Sequence, residues 1–168
     1  MTALKASTAL RLRATSCPAA LPGVIQPAYD RDRLTVGVVH LGPGAFHRAH
    51  QAYYFDQLLA HDPRWGICAV SLKSPGVRDA LTPQDGLYTL AQLDEDTTFR
   101  IIGSIVEVLV APEDPPAVFA RLAAPMTRMV TLTVTEKGYC LSSEGGLDEA
   151  HPDIVHDLAN PREPISAI

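Results

Sequence analysis

The most informative segment of the chain for its fold is LTVGVVHLGPGAFHRAHQAYYFDQLLA, residues 34–60. Its first eight residues, Leu34 to Leu41, form a short apolar run rich in β-branched side chains, which is typical of a buried strand. Gly42-Pro43-Gly44 ends that run with a tight loop. Residues 47–60 contain neither glycine nor proline and space their apolar side chains as a helix does. The stretch therefore predicts a strand, a glycine loop and a helix in that order.

Further apolar runs extend this unit into a fold. Residues 65–72 (WGICAVSL) predict a second strand, and the distance between the two strands is that of a βαβ crossover. Residues 87–110 contain three short apolar runs and predict short strands or a β-meander inserted into the main sheet. Residues 114–122 predict a helix, and residues 128–135 predict a third strong strand. The sequence thus predicts an α/β fold, a Rossmann-like doubly wound sheet with an additional short-strand insertion.

Composition restricts the classes of function. The chain has 168 residues, 46% apolar and 20% charged, which is typical of one soluble domain. Its net charge of -5 argues against a nucleic-acid-binding module, because such modules neutralise phosphates with clustered basic residues. No apolar run approaches the roughly 18 residues of a membrane span, so no membrane partner is expected. The three cysteines lie far apart without a Cys-x-x-Cys pair, which favours a reducing cytoplasm.

The amino-terminal residues differ in charge from the rest. Residues 1–29 contain Lys5, Arg11 and Arg13 but no acidic residue. An organellar transit peptide is one interpretation of such a segment, whereas the two arginines interrupt any apolar stretch long enough for a secretory signal. We expect residues 1–33 to form a leader segment and residues 34–168 to form the folded domain.

The glycine loop has two interpretations. Gly42 permits a tight turn, and Gly44 permits the close approach of a pyrophosphate to the backbone at the start of the helix. His47, however, stands where the pattern Gly-x-Gly-x-x-Gly places its third glycine. The motif alone leaves dinucleotide binding and a plain strand-to-helix turn both open.

Three features near the predicted strand ends also have alternative interpretations. His47 and His50 stand three residues apart on a predicted helix, but no third ligand accompanies them, so no metal site is expected. Arg48 either neutralises a phosphate or is a solvated helix-surface arginine. Glu136 follows the strand at 128–135 and is either a carboxylate that handles a proton or orients substrate, or a member of a surface ion pair.

Several blocks of the sequence together resemble a known family. VVHLGPGAFHRAHQAYYFDQLL, WGICAVSL, QDGLYTL, IIGSIVEVLVAPEDP, VTLTVTEKGYC and HPDIVHDL are similar, in this order, to successive blocks of the mannitol dehydrogenase family of long-chain polyol and hexuronate dehydrogenases. The resemblance covers about residues 34–160. It implies that residues 34–168 are an NAD-binding Rossmann-type domain, the cofactor half of a dehydrogenase.

The resemblance also implies a set of functional residues. The expected cofactor-binding residues are Leu41, Gly42, Pro43, Gly44, Ala45, Phe46, His47, Arg48, Lys73 and Thr135. The family carries its catalytic lysine in a second domain with the pattern Lys-x-x-x-x-Asn-x-x-His, which is absent from these residues. We therefore expect no catalytic residue in this chain apart from an accessory role for Glu136.

Two functions remain open after this resemblance. One is the NAD(H)-binding domain of an oxidoreductase that interconverts a polyol or hexonate with its keto sugar, of the mannitol/fructose or mannonate/fructuronate type. The other is a truncated, stand-alone dinucleotide-binding module without catalytic activity. In both, a polyol or keto sugar binds only if the catalytic domain is present, and the face that this domain would cover favours non-specific self-association.

Cofactor choice follows from the end of the second predicted strand. NAD-preferring Rossmann domains usually place an acidic residue there, but residues 71–76 read SLKSPG. Lys73 and Ser74 either contact the 2′-phosphate of NADP or point to solvent. The resemblance implies NAD as the principal cofactor, and NADP is not excluded.

Overall fold

The computed structural model describes residue 12, residues 23–134 and residues 136–164. The chain divides into two compact units, residues 1–133 and residues 134–168. The strands of the described residues are β1 (Val24–Ile25), β2 (Val36–Leu41), β3 (Gly66–Ser71), β4 (Tyr88–Gln92), β5 (Thr98–Ile102), β6 (Ile105–Val110) and β7 (Met129–Leu132). Their α-helices are α1 (Ala45–Ala49), α2 (Gln51–Leu58), α3 (Gly76–Leu81), α4 (Pro115–Leu122) and α5 (Pro152–Ala159). Single 3₁₀ turns cover Arg31–Arg33, Pro63–Trp65, Thr82–Gln84 and Glu136–Tyr139.

The main sheet has four parallel strands in the order β6-β3-β2-β7. β2 and β3 pair in parallel, as the predicted βαβ crossover requires. The chain first moves outward from β2 to β3 and β6, and it then returns to place β7 on the other side of β2. Such a reversal of strand order is the topological switch point of a doubly wound fold, where ligands bind at the carboxyl ends of the strands. The predicted Rossmann-like architecture is confirmed.

Apolar side chains cover both faces of this sheet. Alternate residues of a strand point to opposite faces, so Val38 packs in a cluster with Ala52 of α2, whereas Val39 packs in a cluster with Val118 of α4. All six residues of β3 are buried. A strand that is covered on both faces reads as a continuous apolar run, which is why residues 65–72 were recognisable.

The prediction for residues 87–110 was wrong for the last of their three apolar runs. Of the three strands in this segment, β4 and β5 lie outside the main sheet. They pair with each other antiparallel, and β5 also pairs in parallel with β1 in a separate three-stranded sheet. β6 instead pairs in parallel with β3 at the edge of the main sheet. The residues of β6 are buried or half-buried throughout, whereas β4 exposes three of its five residues. β6 differs from β4 and β5 because helices cover it, and a local sequence pattern does not show which strands helices cover.

The helix predicted for residues 47–60 is two helices. α1 begins at Ala45, directly after Gly44, and α2 begins at Gln51. The backbone breaks at His50, which has φ −120° and ψ −77°. Since the apolar spacing continues across this residue, the sequence pattern did not reveal the break.

Part of the predicted leader packs against the domain. The hydroxyl of Tyr29 donates a hydrogen bond to the buried carboxylate of Asp56. The guanidinium of Arg31 donates to the carbonyl oxygens of Gly103 and Ile105 at 3.1 and 3.2 Å. The boundary at residue 33 stays a prediction.

The described residues of the unit 134–168 contain one isolated bridge and one α-helix, besides the 3₁₀ turn Glu136–Tyr139. Leu141 and Leu147 form an isolated antiparallel bridge around a turn. At the start of α5, the side chain of His151 accepts a hydrogen bond from the backbone N–H of Asp153. Among the residues that the structure describes, no helix has the length and apolar character that crossing a bilayer requires.

Candidate functional site

The glycine loop leaves the carboxyl end of β2 at the switch point. Gly42 has φ +87°, in the left-handed region that favours glycine, and its N–H donates to the carbonyl oxygen of Val70 at 2.9 Å. A Cβ atom at this position would lie 3.2 Å from the carbonyl oxygen of Thr133. Both the conformation and the close approach of β7 therefore require glycine at the turn.

The second glycine of the loop faces open space. Gly44, Ala45 and Phe46 are exposed, whereas Pro43 is buried beneath them. Gly44 is the N-cap residue of α1 and supplies no side-chain cap, and a Cβ atom on it would meet nothing nearer than the carbonyl oxygen of Gly42 at 4.0 Å. The loop thus offers exposed backbone beside empty space, which fits the close approach of a pyrophosphate.

Arg48 is folded back onto the loop. Its Nη1 donates to the carbonyl oxygen of Pro43 at 2.5 Å, and its own carbonyl oxygen accepts a hydrogen bond from the Tyr88 hydroxyl at 2.7 Å. Burial raises the pKa of Tyr88, so the phenol keeps its proton and remains a donor. Arg48 therefore joins the loop to β4, a contact that neither interpretation of its sequence position anticipated.

Two histidines are stacked beneath the loop. The rings of His40 and His47 have centroids 3.5 Å apart and an interplanar angle of 9°. His40 is 2% exposed and His47 is completely buried. His47 Nδ1 forms a 2.9 Å hydrogen bond with Gln51 Oε1, whereas its Nε2 has no partner among the described residues. A buried polar atom without a partner is rare and costly.

His40 connects this stack to β7 and to the loop. Its Nδ1 lies 2.8 Å from Thr131 Oγ1, and its Nε2 lies 3.1 Å from the Gly42 carbonyl oxygen and 3.2 Å from Thr133 Oγ1. The Thr131 hydroxyl also donates to Gln51 Oε1 at 3.1 Å. A continuous polar network therefore extends from α2 through β7 to the turn at Gly42.

Burial holds both imidazoles in the neutral form. It lowers the pKa of His47 to about 3, with the neighbouring His40 as a smaller cause. Burial also lowers the pKa of His40, against a smaller opposing effect of the Gly42 carbonyl. The free loop is therefore supported by an uncharged pair at neutral pH.

His47 and His50 do not converge on a common point. His50 lies at the break between α1 and α2, where its Nδ1 forms a 3.1 Å hydrogen bond with the Phe46 carbonyl oxygen and its ring stacks on that of Phe46. In the part of the chain that the structure describes, no three or more His, Cys, Asp or Glu side chains form a group that could hold a metal ion.

The remaining candidate residues follow other strands. Lys73 is exposed in the turn after β3, next to the strand that precedes the glycine loop. Thr135 lies outside the described residues, and so does the side chain of Glu136, whose backbone begins the 3₁₀ turn Glu136–Tyr139. Of the predicted cofactor-binding residues, the structure thus describes those of the loop and Lys73.

The family that the loop suggests is also found by comparison. A model of the mannitol dehydrogenase Rossmann domain matches residues 36–167. The chain belongs to this family. The resemblance of the sequence blocks, which predicted the family and its amino-terminal Rossmann domain, is confirmed.

Curated relatives and solved structures agree with this assignment. The chain is 45% identical over 150 residues to mannitol 2-dehydrogenase of Phaeosphaeria nodorum, and 47% identical over 152 residues to D-mannonate oxidoreductase of Escherichia coli, with 86% of this chain covered in both cases. A solved structure of Pseudomonas fluorescens mannitol 2-dehydrogenase, in a ternary complex with NAD and D-mannitol, superposes with a TM-score of 0.76 at 41% identity over 94% of this chain. The chain spans only 26% and 31% of the length of these two curated relatives and 34% of that solved chain.

The polar network that supports this loop was not predicted from the sequence. His40 was the available signal, because it is a polar residue inside an otherwise apolar predicted strand. Gln51 and Thr131 carried no such signal, since each reads as an ordinary helix or strand residue. Only the pairing of β2 with β7 brings Thr131 against His40.

Proposed function

We propose that this chain is the NAD(H)-binding domain of an oxidoreductase that interconverts a polyol or hexonate with its keto sugar. The observation that carries the proposal is the bare Gly44 beside open space, on a loop that leaves β2 at the switch point of the sheet. The names of the mannitol and mannonate relatives support a substrate of the mannitol/fructose or mannonate/fructuronate type.

The residues of the loop have distinct parts in this proposal. The exposed backbone from Gly44 to Phe46 binds the pyrophosphate, while Arg48 and the turn at Gly42 hold the loop in place. Leu41, Pro43, Ala45 and His47 complete the cofactor-binding loop, and Lys73 and Thr135 are proposed as further contacts of the cofactor. The bound nicotinamide would supply the hydride acceptor or donor. Glu136 is proposed as an accessory carboxylate.

The chain on its own should bind cofactor without turning over a polyol. Hydride transfer requires a positioned base for the hydroxyl proton, and loss of such a base typically costs about a hundred- to ten-thousand-fold in rate. None of the three lysines begins the family's Lys-x-x-x-x-Asn-x-x-His pattern. A stand-alone dinucleotide-binding module is the second candidate, and turnover of mannitol or mannonate by the purified chain would exclude it.

We further propose that the protein works in the cytoplasm without nucleic-acid or membrane partners and that the isolated chain self-associates. The buried free thiols of Cys68 and Cys140 and the net charge of -5 support the first part. Apolar side chains on β7 support the second, since Val130 is 49% exposed and Leu132 is 58% exposed.

Calorimetric titration with NADH tests cofactor binding. Gly44→Val should weaken NADH binding by more than about a hundredfold, because its side chain fills the space that the pyrophosphate needs. Its unfolding midpoint should stay near that of the unsubstituted chain, since Gly44 has no close neighbours. Gly146→Val is a matched control on an exposed glycine with similarly open surroundings and should keep the original affinity. Unchanged NADH affinity in Gly44→Val would contradict the assignment of the loop.

A further inference from the structure

The protons of the network beneath the loop can be assigned from donor and acceptor chemistry. Gln51 Oε1 only accepts, so His47 Nδ1–H and the Thr131 hydroxyl both donate to it. The Thr131 hydroxyl has one proton, so once it donates to Gln51 it cannot donate a second hydrogen bond. Thr131 Oγ1 must therefore accept its 2.8 Å hydrogen bond from His40 Nδ1–H.

This assignment leaves Nε2 of a neutral His40 without a proton. That nitrogen lies 3.1 Å from the carbonyl oxygen of Gly42, which is also only an acceptor. A neutral ring with its proton on Nδ1 can accept from the Thr133 hydroxyl, but it cannot bond to Gly42. Only an imidazolium, with a proton on each nitrogen, satisfies the contacts to Thr131 and Gly42 together.

The surroundings decide when His40 carries that second proton. Among the described residues, the charged or titratable groups that act on the stacked pair are the two histidines themselves and Arg48, which acts on His47. The neighbouring residues are uncharged: Gln51 of α2, Thr131 of β7, Thr133 directly after β7, and Ala69 of β3. Burial therefore keeps His40 neutral in the free chain, and an anion at the loop would add the missing opposite charge.

We propose that His40 is a positioning residue of the cofactor loop, which takes up a proton from solvent when a dinucleotide pyrophosphate binds and then holds the Gly42 carbonyl through an Nε2–H···O hydrogen bond. This inference rests on the proposed function. It adds a proton to the binding equilibrium, so NADH binding should strengthen as the pH falls toward about 6.

Calorimetry in pairs of buffers with different ionisation enthalpies measures this proton directly. The 168-residue chain should take up a fraction of one proton per NADH at about pH 6, and a smaller fraction at about pH 8. His40→Gln should lose this uptake and bind NADH about tenfold more weakly. His61→Gln changes an exposed histidine and should keep the original uptake and affinity.

The outcomes separate this inference from the proposed function. A chain that binds NADH with the same heat in both buffers overturns the inference and leaves the proposed function intact. A chain that binds no NADH at all overturns both. Uptake that persists in His40→Gln also overturns the inference, because the proton then belongs to another group.

A second variant covers the case in which His40→Gln does not fold. Thr131→Val keeps the shape of the side chain and removes the acceptor for His40 Nδ1–H, so it should reduce the proton uptake by at least about half. Thr98→Val is its matched control on an exposed residue of β5 and should leave the uptake unchanged. Full uptake in Thr131→Val would overturn the inference.

Discussion

β3 and β7 flank the same strand but differ in what they expose. Every residue of β3 is buried, and its side chains Ile67, Cys68, Ala69 and Val70 are completely inaccessible. On the other side of β2, Met129 is 41% exposed and Leu132 is 58% exposed. The polar contacts of His40 are made on this second side, with Thr131 of β7 and with Thr133 directly after it. The β3 flank of β2 is therefore buried core, whereas the β7 flank provides the side-chain hydrogen bonds of His40 beneath the loop.

The order of the strands explains this difference. A strand that lies between two others under helices loses nearly all its contact with water, so a polar side chain is costly there unless it is hydrogen-bonded. The switch point between β2 and β7 leaves an opening at the carboxyl ends of the strands. Polar side chains are stable beside this opening because hydrogen bonds connect them, and the glycine loop takes its shape from them.

Truncating one apolar side chain on each flank should give the largest difference. Ile67→Ala in β3 should lower the free energy of unfolding by about 3 kcal/mol, because it removes buried methyl groups and leaves a cavity. Leu132→Ala in β7 should cost less than about 1 kcal/mol, since more than half of the side chain is exposed. Urea denaturation of both variants measures the two costs. Equal costs would show that β7 is covered in solution.

Acidification should lower the free energy of unfolding through His47, which lies beneath the loop. Its pKa is about 3 in the folded chain and about 6.5 when unfolded, so between these values the unfolded chain binds a proton that the folded chain excludes. Stability from this group is therefore complete above about pH 6.5 and falls by up to about 1.4 kcal/mol per pH unit below it.

His47→Gln should reduce this slope by that amount, whatever it does to the stability at neutral pH. The measurement is the free energy of unfolding at several values between about pH 4 and pH 7. His61→Gln, at an exposed position, serves as the control and should retain the original slope. An unchanged slope in His47→Gln would mean that the buried ring is not the group that titrates.

The smallest effect is expected in the turn that follows β3, where residues 72–74 are exposed whereas the strand itself is buried. We expect NADH to bind less than about a hundredfold more tightly than NADPH, because residues 71–76 contain no carboxylate to repel a 2′-phosphate. Lys73→Ala should weaken NADPH about fivefold and leave NADH unchanged, since an exposed charge contributes about 1 kcal/mol. Titrations of each variant with NADH and with NADPH measure this preference. A much stronger preference for NADH would indicate another carboxylate, such as Asp79, which the structure pairs with Arg78 at 2.9 Å.

The elements with strong local patterns were predictable. β2, β3 and the glycine loop follow from apolar runs and from the glycines between them. The break at His50 was not predictable, because the apolar periodicity continues across it. The place of β6 in the main sheet was not predictable either, because inserted strands and central strands have similar apolar runs. The contact of Arg48 with Pro43 was hidden for a similar reason, since nothing in the chain between them signals that the side chain turns back.

The family, the α/β class and the position of the loop could be inferred from the amino-acid sequence, because each depends on local patterns of neighbouring residues. The residues that support the loop could not be inferred, because they come together only when the strands pack. His40 and Thr131 are 91 residues apart, and they meet only because β7 returns to the side of β2 opposite β3. The neutral state of His47 likewise comes from burial by several elements together, an effect that no local spacing of residues encodes.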